Sequence, residues 1–183
     1  MKNVLVPLSN GTEEMEAVIV VDMLRRAGCT VIVAGDGNVV VCSRGVRIVP
    51  DVLIDDIGDD ETFDAIVLPG GAQGVSHFVA NHHLEQILAR HRSSKRLIGA
   101  ICAAPVVLHE FGLLDDGVVL TSHPSVADVL AAYTYTFDRV AVDGRLVTSR
   151  GAGTAFEFAL TLIRHLVGET IATRVATDIV MYE

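Results

Sequence analysis

The sequence predicts an α/β protein in which a parallel sheet is covered by helices on both faces, a doubly wound sandwich. Three observations predict it. Short apolar runs such as Val4-Leu5-Val6-Pro7-Leu8, Phe63 to Leu68 and Leu97 to Ile101 are continuous rather than alternating, as in strands buried on both faces. These runs alternate with stretches of helical period, the order that builds βαβ units with right-handed crossovers. The 183 residues, half of them hydrophobic, suffice for one sizeable core, so a single domain over residues 1–183 is expected.

Taken in order, the first strand ends at Leu8, Ser9-Asn10-Gly11 forms a turn, and Thr12 is placed to cap a helix opening with Glu13, Glu14 and Glu16. Acids in a first turn also complement the helix dipole, so spacing does not say which glutamate, if any, does chemistry. The helix runs to about Gly28, and Cys29 to Ala34 is the second strand, with Cys29 as core. Val39 to Cys42 and Val46 to Val49 flank the polar break Ser43-Arg44-Gly45 and read as a hairpin. An acidic loop, Asp55 to Asp60, precedes the strand Phe63 to Leu68, which ends in Pro69-Gly70-Gly71. Such a glycine pair permits close backbone approach and can aim N–H groups at an anion. Ala72 to Ala80 and Leu84 to Arg92 are helical pieces, with His82-His83 as a surface pair between them.

Leu97-Ile98-Gly99-Ala100-Ile101-Cys102-Ala103-Ala104-Pro105 is the stretch around which the chain is organised. Ala100 and Ala104 lie two residues either side of Cys102, the small-x-nucleophile-x-small spacing of a strand-to-helix elbow, where bulkier neighbours would clash. Pro105 suits a first helical position. The thiol is expected to sit in the positive field of that helix, which favours thiolate. A buried structural cysteine is the alternative reading of the same window. Val118 to Thr121 is read as a further strand, which puts His123 past its carboxyl end, where ligands gather in open α/β sheets. Phe137 to Val142 and Leu146 to Ser149 form an edge hairpin. Helices follow from Arg150-Gly151-Ala152-Gly153-Thr154 through Leu166, and from about Glu169 to Val180.

Composition limits the functions open to this chain. Fourteen basic against 23 acidic residues give a net charge of −9, a surface that repels phosphate backbones, so nucleic acid is not an expected partner. No apolar run approaches the roughly 20 residues of a membrane span. Met1-Lys2-Asn3 passes directly into strand-like sequence rather than a signal peptide, and Cys29, Cys42 and Cys102 form no C-x-x-C pair. A cytoplasmic location, no membrane association, no cofactor and no metal site are expected.

Several of these segments, in this order and over nearly the whole chain, resemble the ThiJ/PfpI superfamily in its parkinsonism-associated deglycase branch. They are Glu13-Glu14-Met15-Glu16, Cys42-Ser43-Arg44, Leu68-Pro69-Gly70-Gly71, Ala100 to Pro105, Thr121-Ser122-His123-Pro124 and Thr148 to Thr154. The resemblance implies a flavodoxin-like sandwich and a homodimer, with Cys102 as nucleophile and redox-sensitive thiol. It implies Glu16 as the acid touching the sulfur and His123 as general acid/base. Gly70, Gly71 and the amide of Ala103 would form the substrate and oxyanion pocket, and Arg25 and Arg44 would support the pocket or the dimer. The activity implied is cofactor-independent conversion of methylglyoxal-type α-oxoaldehydes, or repair of their early adducts on proteins. A redox-sensing or chaperone role governed by oxidation of Cys102 is the alternative. Proteolysis is not expected, because Ala103 stands where protease-like members carry histidine, and His83-Leu84-Glu85 precedes the nucleophile. Ala104 and Ala152 stand where glycine and proline are also common in the branch.

Overall fold

Side chains of a strand alternate between faces, and here the alternation sorts the core into two layers. Val4, Val6 and Leu8 of β1 (Asn3–Leu8) pack on one face of the sheet, while Leu5 packs on the other. Ala65 and Val67 of β6 (Ala65–Leu68) divide likewise from Ile66 and Leu68, and Leu97 and Ile101 of β7 (Leu97–Ile101) from Ile98 and Ala100. The first face is covered by α1 (Glu14–Arg26), α5 (Ala155–Val167) and α6 (Glu169–Asp178). The second is covered by α2 (Ala72–Val79), α3 (His82–Ser93) and α4 (Pro105–Glu110). This is the α/β flavodoxin-like sandwich that the sequence predicts. The computed structural model describes residues 1–181.

The main sheet has seven strands in the order β10-β11-β7-β6-β1-β2-β5, where β2 is Thr30–Gly35, β5 Val52–Leu53, β10 Val140–Asp143 and β11 Leu146–Ser149. All neighbours pair in parallel except β10 with β11, the expected edge hairpin. Chain order runs outward from β1 through β2 and β5, then restarts on its other side at β6. The crevice between the carboxyl ends of β1 and β6 is therefore the topological switch point, where ligand sites form in such sheets.

The expected hairpin forms as β3 (Val40–Val41) and β4 (Arg47–Ile48), a ribbon outside the main sheet. Two expectations are corrected. The run Val118 to Thr121 also stays outside, as β8 (Val119–Leu120) paired in parallel with β9 (Thr134–Tyr135). β5, which occupies the edge, was hidden in an acidic segment too short to show a period. Helix α1 is not capped by Thr12: the Glu13 side chain accepts from Met15 N–H, while Thr12 Oγ1 accepts from Ser9 N–H and closes the preceding turn.

Candidate active site

Cys102 lies between β7 and α4 with φ of +64°, a left-handed conformation that costs a non-glycine residue about 1–2 kcal/mol. Bonds on both sides of the residue hold it there. Its N–H donates to the Ser149 carbonyl at 2.9 Å, extending the β7–β11 ladder, and its carbonyl accepts from His123 N–H at 2.8 Å. The second bond also explains how His123 reaches this rim although β8 is not part of the main sheet.

Glu16 sits in the first turn of α1, on the stripe that continues through Val20, Met23 and Leu24 into the core, and has no solvent-accessible surface. Its Oε2 accepts from Gly70 N–H at 2.7 Å, whereas Oε1 is buried without a partner of conventional hydrogen-bond geometry. Gly70 has to be glycine, because a Cβ there would stand 2.5 Å from Cys102 Cβ and 2.9 Å from Glu16 Oε2. Gly71 has φ of +94° and lies so close to the Gly11 carbonyl that a Cβ would come within 2.2 Å of it. Two residues without side chains thus bring the acid and the sulfur together.

Burial raises the Glu16 carboxyl to about 7; the Gly70 amide and the Cys102 thiol oppose the rise, and Glu13 adds to it. Burial likewise pushes the Cys102 thiol up to about 12, with the Glu16 charge adding to the rise and the amides of Gly71 and Ala103 pulling it down. The helix N-terminus expected to favour thiolate is that of α4, which starts three residues beyond the cysteine and is six residues long; burial and the neighbouring carboxylate act against it. The two groups titrate as a pair, in which a proton on Glu16 is what makes thiolate affordable. The partnerless Oε1 is the natural place for that proton, since a buried carboxylate oxygen facing no donor is costly.

The thiol opens into a cavity of about 460 Å³, whose wall includes Glu16, Gly71, Ala103, His123 and Arg44. Clefts of about 410 and 440 Å³ occur elsewhere, so chemistry rather than size selects this one. His123 is exposed at the rim. Its Nδ1 accepts from Ser125 N–H at 3.2 Å, which assigns the ring proton to Nε2, and Ser125 Oγ lies 2.7 Å from the same nitrogen. Its Cδ2 is 3.6 Å from where a Cβ of Gly151 would stand, and that point is 4.0 Å from Cys102 Sγ.

Cys102, Glu16, Gly70, Gly71, Ala103 and His123 therefore converge, with one change of part. The Gly70 amide is occupied by Glu16, so it positions the acid instead of facing a substrate. Arg44 is exposed on the cavity wall, its backbone N–H bonded to Glu14 at 2.9 Å. Arg25 lies away from the cavity, bonded to Asp51 at 2.9 Å and to the Val31 carbonyl at 3.0 Å. Ser149, Gly151 and Ser125 were not singled out from the sequence, although each borders the reacting groups. Spacing alone does not mark Glu16, since Glu13 heads an equally apolar stripe through Ala17, Val20, Val21 and Leu24; burial against the sheet separates them. Among the described residues, no group of three or more His, Cys, Asp or Glu side chains is placed to hold a metal ion.

The chain is similar to known proteins over nearly its whole length. The model of the DJ-1/PfpI family matches residues 2–165. The Parkinson disease protein 7 homolog of Danio rerio is 40% identical over 185 residues, covering 98% of this chain and 97% of that protein. Glutathione-independent glyoxalase DJR-1.2 of Caenorhabditis elegans is 41% identical over 159 residues, covering 85% and 83%. The crystal structure of Drosophila melanogaster DJ-1beta superposes with a TM-score of 0.94 at 42% identity, covering 100% of this chain and 99% of that one. A likeness this complete, in sequence and in backbone, makes the chain a member of the DJ-1/PfpI family.

Proposed function

We propose that the protein is a cofactor-independent glyoxalase or deglycase that converts α-oxoaldehydes of the methylglyoxal type, or their early adducts, to 2-hydroxy acids. The observation that carries this reading is the buried Glu16 carboxyl, raised to about 7 and held against the Cys102 sulfur by Gly70. The glyoxalase name of the Caenorhabditis elegans relative supports it.

With the pair's proton on Glu16, the Cys102 thiolate adds to the aldehyde carbon and forms a C–S bond. Glu16 passes its proton to the new alkoxide, giving a neutral hemithioacetal and a carboxylate. That carboxylate removes the hydrogen from the former aldehyde carbon, and returns it to the neighbouring ketone carbon. One carbon is oxidised and its neighbour reduced, so no external oxidant is needed. The product is a thioester, which water cleaves to release the 2-hydroxy acid and the thiol. His123 donates its Nε2 proton to the ketone oxygen as charge develops there, and regains one from the hydroxyl of the former aldehyde carbon as that oxygen becomes the thioester carbonyl. The amides of Gly71 and Ala103, which already face the sulfur, hold the thiolate before attack.

Lactate release from methylglyoxal by wild type, Cys102→Ser and Glu16→Gln tests the reading. Turnover by the wild type and none by either variant is expected. Wild-type turnover no higher than that of Cys102→Ser would overturn it.

A second reading is favoured by the protonated Glu16, whose carboxyl can donate to an oxidised sulfur and so stabilise sulfinate at Cys102. Cys29 and Cys42 are buried in the core, whereas the half-buried Cys102 opens into the cavity. Peroxide titration read by intact mass should then oxidise Cys102 first, and equal oxidation of all three would remove the sensor reading.

The resting assembly in this proposal is a homodimer. Met15, Val18 and Val49 are exposed apolar residues on α1 and the β3–β4 ribbon, beside a shallow cleft bordered by Val18, Val21, Ile48 and Val49. A second copy would cover this face.

A further inference from the structure

We infer that Phe137 and Arg150 form a docking platform for a polypeptide segment, so that the site takes adducts carried on protein chains as well as free aldehydes. This rests on the deglycase reading above. Phe137 is 79% exposed, more than any other large hydrophobic side chain among the described residues except Met1. A phenyl ring so exposed adds nothing to the core, yet its posture is fixed. The Tyr135 ring meets it edge-on at 5.6 Å between centroids, and the Arg150 guanidinium carbon lies 5.7 Å from its centroid. Arg150 Nη1 also donates to the Phe137 carbonyl at 3.2 Å. The flanking backbone is anchored at both ends, by Thr136 N–H on the Leu120 carbonyl at 2.8 Å and by Arg139 on Glu157 and the Gly153 carbonyl. A rigid aromatic–arginine pair at a surface loses little freedom on binding and is the composition found at interface hot spots.

Its position ties it to the reacting groups. The Tyr135 hydroxyl donates to the carbonyl of Ser122, the residue before His123, at 3.1 Å. Arg150 directly precedes Gly151, which borders the Cys102 sulfur. Neither Phe137 nor Arg150 lines the 460 Å³ cavity itself. A three-carbon aldehyde held at the sulfur therefore leaves both untouched, and only a substrate that continues past the rim can reach them. Arg150 has no carboxylate partner among the described residues, which makes it a local positive point on a chain of net charge −9. The occupant that fits is a segment with an apolar side chain for the ring and an acidic side chain for the guanidinium, flanking the modified residue.

The test separates binding from exchange of free aldehyde by using a stable isomer of the hemiaminal adduct, a peptide with Nε-lactoyl-lysine between leucine and aspartate. Its affinity is compared calorimetrically with that of free Nε-lactoyl-lysine on wild type, Phe137→Ala and Phe137→Tyr, alongside methylglyoxal turnover. We expect the wild type to prefer the peptide, Phe137→Ala to weaken peptide binding about five-fold or more, and Phe137→Tyr to restore it. Binding of free Nε-lactoyl-lysine and methylglyoxal turnover should be unchanged in both variants. Peptide binding unaffected by Phe137→Ala would overturn the platform. So would an equal loss of methylglyoxal turnover, or a fall in sedimentation coefficient that marks the ring as a contact between copies. Failure of the deglycase reading shows separately, as absent wild-type turnover with Phe137-dependent peptide binding retained.

Discussion

In the proposed reaction Glu16 and Cys102 set the chemistry, because the buried acid lies beside the half-buried thiol and neither can hold a full charge without cost to its neighbour. Replacing Glu16 with Gln removes the carboxylate but keeps a hydrogen-bond donor. The Cys102 thiol of Glu16→Gln should therefore ionise at lower pH, as read by ultraviolet thiolate absorbance, while lactate formation falls by about 10²–10⁴-fold for want of a proton carrier. In the wild type, kcat/KM should rise as pH increases through about 7, where the pair loses its first proton, and this rise should vanish in Glu16→Gln. Stability moves the opposite way. The folded pKa of Glu16, about 7, exceeds its ordinary 4.5, so its contribution is full below pH 4.5 and is lost as pH rises through about 7. Glu16→Gln should then exceed the wild type in urea stability by about 1–3 kcal/mol at pH 8, with no difference at pH 4. A wild type equally stable at both pH values, with the variant unchanged, would contradict the burial argument.

The β6–α2 turn, the elbow after β7 and the first turn of α1 form one contact set, and the tolerance in it is small. Gly70→Ala should separate the acid from the sulfur, because its Cβ would lie 2.5 Å from Cys102 Cβ. Turnover should fall to the level of Cys102→Ser, and the pH dependence of any residual rate should no longer show a step near 7. Behind the site, Gly99 of β7 lets α5 approach the sheet: a Cβ would stand 2.9 Å from Phe158 Cζ and 3.1 Å from Leu162 Cδ2. Gly99→Ala should overpack this layer and lower urea stability by about 1–3 kcal/mol. Because Phe158 and Leu162 belong to the covering helix rather than the cavity wall, KM for methylglyoxal should be preserved.

Across the whole molecule, the doubly wound topology puts the switch point between β1 and β6 and so fixes which rim carries the site. The proposed dimer uses another surface, the exposed apolar face of α1 and the β3–β4 ribbon, where Val49 is 74% exposed. Val49→Asp should shift sedimentation from a dimer to a species near 19.5 kDa. A wild type that already sediments as the smaller species would remove the dimer. No helix among the described residues is long and apolar enough to cross a membrane.

Much of this architecture was legible in the sequence because buried parallel strands and amphipathic helices leave strong periodic signals. The runs at Val4, Phe63 and Leu97 fell on strands, and the small residues around Cys102 marked the elbow. Weak signals misled where pairing was decided at a distance: two-residue β5 joined the sheet edge, while the more apolar Val118 to Thr121 did not. Thr12 has the chemistry of a cap, yet the close approach of Ser9 claimed its hydroxyl. By itself, then, the sequence determined the layers, the elbow and the residue types at the carboxyl rim, since these follow from local periodicity and steric size. Only the tertiary structure decided that the Gly70 amide belongs to Glu16, that His123 arrives through the Cys102 carbonyl, and that the thiol is half-buried against a carboxyl. Those outcomes depend on burial and on contacts between distant segments, and no local pattern encodes them.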